Sequence, residues 1–398
     1  MRIARTKSEL YYLAGYICIL VRILCENSNL IPINETVKVI FTLFFATFMM
    51  LAIAEERLTI RQWIVVLVLG GVFVLSYLKM KYFFFLMSYF CVISIKQVDL
   101  KRVIFCSFCL KSAYLFVHIV IYVSAYLINP EIIDYTYRYG QARHYFFISH
   151  ANTFSMYLLW TIFECIYLYH QRLKVAYLLL ILGLDLGIDF FTDSNSNRIL
   201  ILLAISLFCY AKTHPQWNAS SLRILVKYGF ALFGVFFCTA TALYQYMGGW
   251  MKAAYLMLDA LFTGRLVLGA YAYHVGGVTF LGQLLPDSLS AYWDGRWVSQ
   301  ITCENTYIWM MVSSGIFYLI LFSLLFYVSA DRMTNLELIL SFLYIVYAIM
   351  ETYPINFVLC FSPLIAGQYV MGMNRNDQRK CLINFWKLRN HGGQRWST

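Results

Sequence analysis

The chain has 398 residues, of which 61% are hydrophobic and only 13% are charged, and its formal net charge is +11. A soluble domain carries about twice that charged fraction, so the composition argues against a soluble protein and indicates an integral membrane protein. The sequence has no glycine-rich phosphate loop ahead of a helix, which argues against a nucleotide-hydrolysing module. Most of the positive charge lies in the short loops and terminal segments on one side of the predicted spans. This bias is typical of membrane topology, so nucleic acid is not an expected partner.

Repeated apolar runs of about 20 residues or slightly fewer predict an all-α, polytopic membrane helix bundle. Within such runs the backbone satisfies its own hydrogen bonds, as lipid requires. The predicted spans, about twelve in number, are 9–25, 36–54, 63–78, 82–95, 103–128, 150–169, 175–191, 197–211, 222–243, 305–328, 336–352 and 355–373. The third and fourth spans are short and could form a hairpin that does not cross the membrane. The chain would then have ten spans, and every later loop would stay on the same side of the membrane.

Lys and Arg are distributed unevenly over the loops between these spans. Roughly twenty fall on the side of the N-terminus and about ten on the other, so the positive-inside rule places both termini in the cytoplasm. We therefore expect one transmembrane domain, 1–373, with a large extracytoplasmic loop at 244–304. A basic cytoplasmic tail, 374–398, would follow and could contact anionic lipid.

Charged residues within predicted spans include Lys111, Glu164, Asp185 and Asp189. Charges in a membrane usually face the bundle interior and pair with one another. Lys111 and Asp185 have similar estimated depth and could form an ion pair, and a structural role is favoured over a proton relay. Asp189 lies near the outer end of its span and could reach a cavity.

A polar segment with basic groups precedes and opens the predicted span 150–169. His150 could move a proton or bind phosphate, whereas Ser149 or Asn152 could equally be a plain helix cap. Just upstream, Arg143 and His144 add basic groups among tyrosines. Aromatic side chains beside polar groups also suit the stacking of sugar rings, so this segment is a candidate substrate-binding region.

A tight polar turn separates the spans 175–191 and 197–211, and Arg198 begins the second of them. An Arg at a span centre costs about 2.5–3.5 kcal/mol on insertion scales, and less near the boundary. Arg198 could therefore point into a cavity or extend to lipid headgroups.

The loop 244–304 interrupts the regular succession of apolar spans and contains many titratable residues. Its stretches 251–262 and 275–285 are apolar enough to form amphipathic helices at the lipid surface, over a cavity. Arg265 lies between them. A guanidinium beside a cavity suits a phosphate or diphosphate through paired charge-assisted bonds, and the alternative is an Arg that faces solvent or headgroups.

Glu304, Asn305 and Tyr307 lie where this loop enters the predicted span 305–328. Partial desolvation at a membrane boundary would raise the pKa of Glu304 toward the range of a general base. The alternative is an acid that the helix dipole favours at a helix N-terminus. The sequence has no set of four Cys or His residues at zinc-ligand spacing, and its one CxxC, Cys106 to Cys109, lies within the predicted span 103–128. We therefore expect no metal and no cofactor.

Together these segments resemble the Wzy-type polysaccharide polymerases of the O-antigen polymerase and ligase superfamily. Residues 149–152 resemble the family's opening of a mid-chain span by a small residue, His and Asn. Residues 194–198 resemble its Ser-Arg turn, although the intervening asparagines depart from the common pattern. Residues 263–265 resemble its Gly-Arg pair in the large loop.

A fourth likeness is to the ligase pattern of His, then Asn, Ser or Gln, nine residues, Gly, two residues, and Gly, Thr or Tyr. Asn305, Gly315 and Tyr318 occupy its later positions, but Glu304 stands where the ligases have His. This departure favours a polymerase, in which an acid at that position is familiar.

The resemblance implies metal-independent glycosyl transfer at the outer face of a bacterial cytoplasmic membrane. The donor would be a glycan on undecaprenyl diphosphate, and the acceptor a sugar hydroxyl of an incoming lipid-linked repeat unit. Glu304 would take the acceptor proton, and Arg265 with Arg198 would stabilise the diphosphate leaving group. The remaining substrate-binding residues would be His150, Asn152, Arg143, Asn305 and Tyr307. Membrane lipid, a flippase and a chain-length regulator of the same pathway are the further expected partners.

Alternative functions remain open at the level of the sequence. An O-antigen-type ligase would transfer finished glycan to another acceptor. A lipid-linked oligosaccharide flippase would distribute charged residues along a pathway through both halves of the chain, and it would not need the one-sided loop.

Overall fold

A computed structural model describes residues 6–372 except 57, 59, 134, 139, 287–290 and 299–302. The predicted basic tail, 374–398, lies outside these residues. The helices are α1 (Lys7–Glu26), α2 (Glu35–Ala54), α3 (Ile60–Met80), α4 (Phe84–Ile93), α5 (Leu100–Ile128), α6 (Ala151–Tyr169), α7 (Val175–Thr192), α8 (Asn195–Thr213), α9 (Ser220–Leu243), α10 (Gly249–Leu261), α11 (Arg265–Gly276), α12 (Thr306–Trp309), α13 (Ile316–Ser329), α14 (Asn335–Met350) and α15 (Ser362–Met371). Two antiparallel hairpins pair β1 (Tyr135–Arg138) with β2 (Gln141–His144), and β3 (Ala291–Trp293) with β4 (Arg296–Val298).

The described part of the chain contains 7 helices long and apolar enough to cross a membrane, or 8 if the bent pair α10 and α11 is one span. Those seven are α1, α2, α3, α5, α7, α8 and α9. The prediction of an all-α, multi-pass membrane helix bundle is therefore confirmed. The count of about twelve spans and the orientation stay predictions.

Burial separates the helices into a central and a peripheral set. α6 and α14 are buried along most of their length, and Trp160 of α6 packs against the rings of Tyr344, Tyr347 and Phe361. α2, α3 and α7 instead leave leucines on exposed apolar faces. Water would penalise so much apolar surface, whereas the acyl chains of a bilayer would not.

The predicted span 305–328 is wrong as a continuous helix. It consists of α12, a π-helical turn at Met310–Ser314, and α13, with a break at Gly315. The φ of Gly315 is +112°, and a Cβ there would lie 2.3 Å from the carbonyl oxygen of Phe280. Backbone hydrogen bonds from the segment 279–283 replace the missing helical ones. Neighbouring chain therefore satisfies the freed groups, as a buried break in a membrane protein requires.

The predicted span 355–373 is also wrong as a continuous helix. A 3-10 turn at Tyr353–Ile355 and a non-helical stretch precede α15, which begins only at Ser362. The carbonyl of Leu359 in this stretch accepts a hydrogen bond of 3.1 Å from Lys111 Nζ. Lys111 also lies 2.7 Å from Glu164 Oε1, because α5 packs against α6. The predicted ion pair of Lys111 with Asp185 is wrong, because Lys111 pairs with Glu164 instead.

The large loop is folded rather than extended. α10 and α11 meet at an angle of 115° around Thr263 and Gly264. The prediction of a helix at 251–262 is confirmed in large part by α10. The prediction of a helix at 275–285 is wrong, because α11 ends at Gly276 and the following residues pack against the π-helical turn through their backbone.

Candidate active site

The corner between α10 and α11 directs Arg265 into the bundle. Thr263 and Gly264 take positive φ angles of 57° and 86°, which end α10 and turn the chain. Asp259 Oδ1 then accepts hydrogen bonds of 2.9 Å from the backbone N–H groups of Leu266 and Val267. This cap fixes the first turn of α11, and Arg265, its first residue, is buried.

The Arg265 guanidinium contacts four protein groups from three other parts of the chain. Nη2 donates to Glu351 Oε1 at 2.9 Å, and Nη1 donates to Ser196 Oγ at 2.8 Å and to the carbonyl oxygen of Met350. Glu304 Oε2 lies 2.5 Å from Nε as an ion pair that lacks hydrogen-bond alignment. We call Arg265, Glu304, Glu351 and Ser196 the Arg265 cluster. The structure thus brings Arg265 and Glu304 into contact.

The two carboxylates of the Arg265 cluster have different environments. The Glu304 side chain is 44% exposed, whereas that of Glu351 is 5% exposed. Burial raises the pKa of Glu351 to about 7, against the opposing effect of Arg265 and with a further increase from the charge of Glu304. Ser196 Oγ also donates to Glu351 Oε1 at 2.9 Å. One carboxylate is therefore accessible to a ligand, and the other changes charge near neutral pH.

Asn305 and Tyr307 hold the start of α12 against α14. Asn305 Oδ1 accepts from the N–H groups of Tyr307 and Ile308 at 3.0 and 3.1 Å, and its Nδ2 donates to the Ile349 carbonyl at 2.7 Å. The hydroxyl of the buried Tyr307 donates to the Ile345 carbonyl at 2.9 Å. These polar groups are directed at the protein backbone. They position Glu304 through the backbone of the residue that follows it.

Arg198 lies in the first turn of α8, close to the short connection from α7. Its Nε donates to Asp189 Oδ2 at 2.9 Å, and its Nη2 lies 3.4 Å from Asp193 Oδ1. The Arg198 side chain is nevertheless 42% exposed. Its Nη1 also donates to Asn195 Oδ1 at 3.3 Å, so each nitrogen has one protein partner. The N–H groups that these bonds leave over are the ones that a ligand could contact.

Arg143 and Asn152 also meet close to this connection. Arg143 Nη2 donates to Asn152 Oδ1 at 2.6 Å, and its Nε donates to the Thr192 carbonyl at 2.9 Å. The hairpin of β1 and β2 is thereby joined to the N-terminus of α6 and to the end of α7. His150, the N-cap residue of α6, is exposed and forms no side-chain capping bond.

The segment 192–198 runs from the end of α7 to the first turn of α8, and three of these hydrogen-bonded groups contact it. We refer to this segment as the turn. Thr192 binds Arg143, Asp193 binds Arg198, and Ser196 binds Arg265. Most of the predicted site residues are therefore parts of hydrogen-bonded groups that border one turn. Within the described part of the chain, Glu304 and Asn152 reach the turn only through Arg265 and Arg143. Among the contacts found in the described residues, the turn has no bond to His150, Asn305 or Tyr307.

Sequence reasoning did not identify Glu351 and Ser196 as site residues. Glu351 follows the apolar helix α14 directly and precedes Pro354 by three residues. An acid that closes an apolar helix ahead of a proline signals a desolvated carboxylate, and this signal could have identified it. Nothing in the sequence marks Ser196 beyond its place in a polar turn.

The arrangement can accept a proton and bind an anion. A carboxylate with an exposed face, oriented by a buried arginine, can act as a general base. An arginine with an exposed face can bind a phosphate group. Among the described residues, no group of three or more His, Cys, Asp or Glu side chains could hold a metal ion.

No protein-family model matches the chain, and comparisons with curated proteins and with solved structures find no match.

Proposed function

We propose that the chain polymerises lipid-linked oligosaccharide repeat units of a cell-surface polysaccharide, as a Wzy-like glycosyltransferase of a bacterial cytoplasmic membrane. The observation that carries this proposal is the ion pair between the partly exposed Glu304 and the buried Arg265 at an end of a membrane helix bundle. The positive-inside rule supports an outward orientation of that end. A flippase and a chain-length regulator would supply substrate and set polymer length.

The proposed reaction is a direct displacement. A hydroxyl oxygen of the incoming repeat unit attacks the anomeric carbon of the growing glycan. The bond from that carbon to the diphosphate oxygen breaks, and its electron pair leaves with undecaprenyl diphosphate. Glu304 takes the hydroxyl proton, and a single displacement inverts the anomeric configuration.

The contacts favour different roles for the arginines. Arg265 binds four protein groups, so it orients Glu304 and neutralises charge around it. Arg198 has the more exposed side chain of the two, which suits a contact with the negative charge that develops on the leaving diphosphate. Arg143 and Asn152, across the same turn, would contact the sugars or the second phosphate.

The test is polymer formation in proteoliposomes that hold the purified protein and undecaprenyl-diphosphate-linked repeat units. We expect a ladder of polymer from the wild type and a rate about 10²–10⁴-fold lower for Glu304→Gln, because loss of a general base typically has that effect. Glu131→Gln is the matched control, since Glu131 is an exposed carboxylate far from the Arg265 cluster in sequence. Wild-type rates from a folded Glu304→Gln protein would refute the assignment.

Deletion of the gene in cells distinguishes the polymerase from its rivals. A polymerase deletion leaves single repeat units at the outer face, with no long polymer. Full-length polymer retained on the lipid carrier would instead identify a ligase, and repeat units accumulated on the inner leaflet would identify a flippase.

A further inference from the structure

One guanidinium, that of Arg265, is shared by two carboxylates that differ in their contact with solvent. Glu304, whose side chain is 44% exposed, lies at Nε, and Glu351, whose side chain is 5% exposed, lies at Nη2. If both carboxylates are ionised, the Arg265 cluster carries a net charge of about −1 in a low-dielectric region, which is unfavourable. Loss of one negative charge would relieve that repulsion.

We propose that Glu351 is a proton-operated latch on Arg265: the ionised carboxylate holds the Nη2 edge against the 350–356 segment, and the neutral acid releases that edge to a phosphate-bearing ligand. The identity of the ligand rests on the proposed function, whereas the release of Arg265 does not. The two parts can therefore fail separately.

The hydrogen bonds explain why the charge of Glu351 controls this contact. Its Oε1 accepts from both Arg265 Nη2 and Ser196 Oγ, each at 2.9 Å. Protonation of Glu351 removes its ion-pair attraction to the guanidinium, so its hold on Nη2 weakens although the donor stays cationic. The bonds from Nη1 to Ser196 and to the Met350 carbonyl remain and keep Arg265 at the site.

The titratable groups that face Glu351 come from four parts of the chain. They are Arg265 of α11, Glu304 before α12, Tyr347 of α14, and Tyr353 and Cys360 after α14. Tyrosines and cysteines are neutral near pH 7, so only Arg265 and Glu304 add charge there. Because burial raises the pKa of Glu351 to about 7, the latch would open as the pH falls through neutrality.

Chemical modification of Arg265 tests the release without any assay of glycosyl transfer. Phenylglyoxal, an arginine-specific dicarbonyl, is applied to the purified protein in nanodiscs, and mass spectrometry measures modification at Arg265 and at Arg172. Arg172 is exposed in the loop between α6 and α7. The ratio of modification at Arg265 to modification at Arg172 therefore cancels the effect of pH on the reagent. If reactivity follows the neutral fraction of Glu351, the ratio should be roughly tenfold higher at about pH 6 than at about pH 8.

Variants of Glu351 separate its charge from its shape. In Glu351→Gln the ratio should be high at both pH values, and in Glu351→Asp the pH dependence should return. A ratio independent of pH in the wild type would overturn the latch without recourse to any variant. Wild-type pH dependence in a folded Glu351→Gln protein would overturn it as well.

A diphosphate probe tests the ligand. We expect farnesyl diphosphate to protect wild-type Arg265 at about pH 6, and to protect Glu351→Gln at both pH values, while farnesol protects neither. Protection by inorganic pyrophosphate alone would show that the phosphates suffice. Release without protection by either diphosphate would support the latch and would refute the phosphate ligand.

Discussion

Replacement of Arg265 by Met should make stability more dependent on pH. The substitution keeps much of the side-chain volume but removes the only cation among the contacts of Glu351 and Glu304 found in the described residues. Arg265 is also the largest influence that lowers the pKa of Glu351. In the variant, Glu351 should therefore stay protonated well above pH 7.

The size of the effect follows from proton linkage. In the wild type, Glu351, with a pKa of about 7, releases its proton as the pH rises from about 6 to about 8. A Glu in the unfolded chain is ionised over this whole range. The free energy of unfolding of the wild type therefore falls by about 1.4 kcal/mol as the pH rises from about 6 to about 8. In the variant, Glu351 keeps its proton, and the corresponding loss is about 2.7 kcal/mol. The destabilisation caused by Arg265→Met should thus grow by about 1.4 kcal/mol between the two pH values.

The assay is denaturant titration in detergent micelles at about pH 6 and about pH 8, with Arg172→Met as the matched control. The same comparison on a Glu351→Gln background should show no growth with pH, because the titrating group is gone. Equal destabilisation by Arg265→Met at both pH values would refute the coupling of Arg265 to Glu351.

Further predictions concern the core and the α10–α11 corner. Lys111→Met should cost about 3–5 kcal/mol by denaturant titration, since it leaves the fully buried Glu164 without its cation, and adding Glu164→Gln should restore much of that loss. No recovery in the double variant would count against this ion pair. Gly264→Ala should destabilise by about 1–2 kcal/mol, because Gly264 has a φ of +86°. Gly183→Ala within α7, where a Cβ would meet no atom within 4 Å, should instead be neutral or stabilising in the same titration.

Hydropathy located the helices that face lipid. The predicted span 36–54 differs by one residue from α2, and the predicted span 9–25 lies within α1, because the charged or polar residues at their ends mark the boundaries. The positions of these helices depend on the hydropathy of consecutive residues. An average of hydropathy over a sequence window is therefore enough to find them.

The helix breaks could not be read from hydropathy. The residues around Gly315 are as apolar as a continuous span, and the break there depends on backbone bonds from Thr279 and Gln283 to the π-helical turn. The Arg265 cluster was only partly predictable for the same reason. Arg265 and Glu351 are 86 residues apart in sequence, and nothing in local spacing indicates that they meet.

Buried polar side chains at these helix breaks stabilise the fold, so a functional test must distinguish a loss of stability from a loss of catalysis. Gln283 donates to the Val312 carbonyl, Lys111 to the Leu359 carbonyl, and Arg265 to the Met350 carbonyl, where helices end inside the bundle. In a membrane no water replaces such a donor, so each of these substitutions would cost stability whether or not the residue acts on a substrate. Loss of polymer in Arg265→Met therefore fits both roles. Glu304 is partly exposed and has no aligned hydrogen bond to Arg265, so its substitution should cost less stability. Glu304→Gln therefore gives the clearer test of the proposed chemistry.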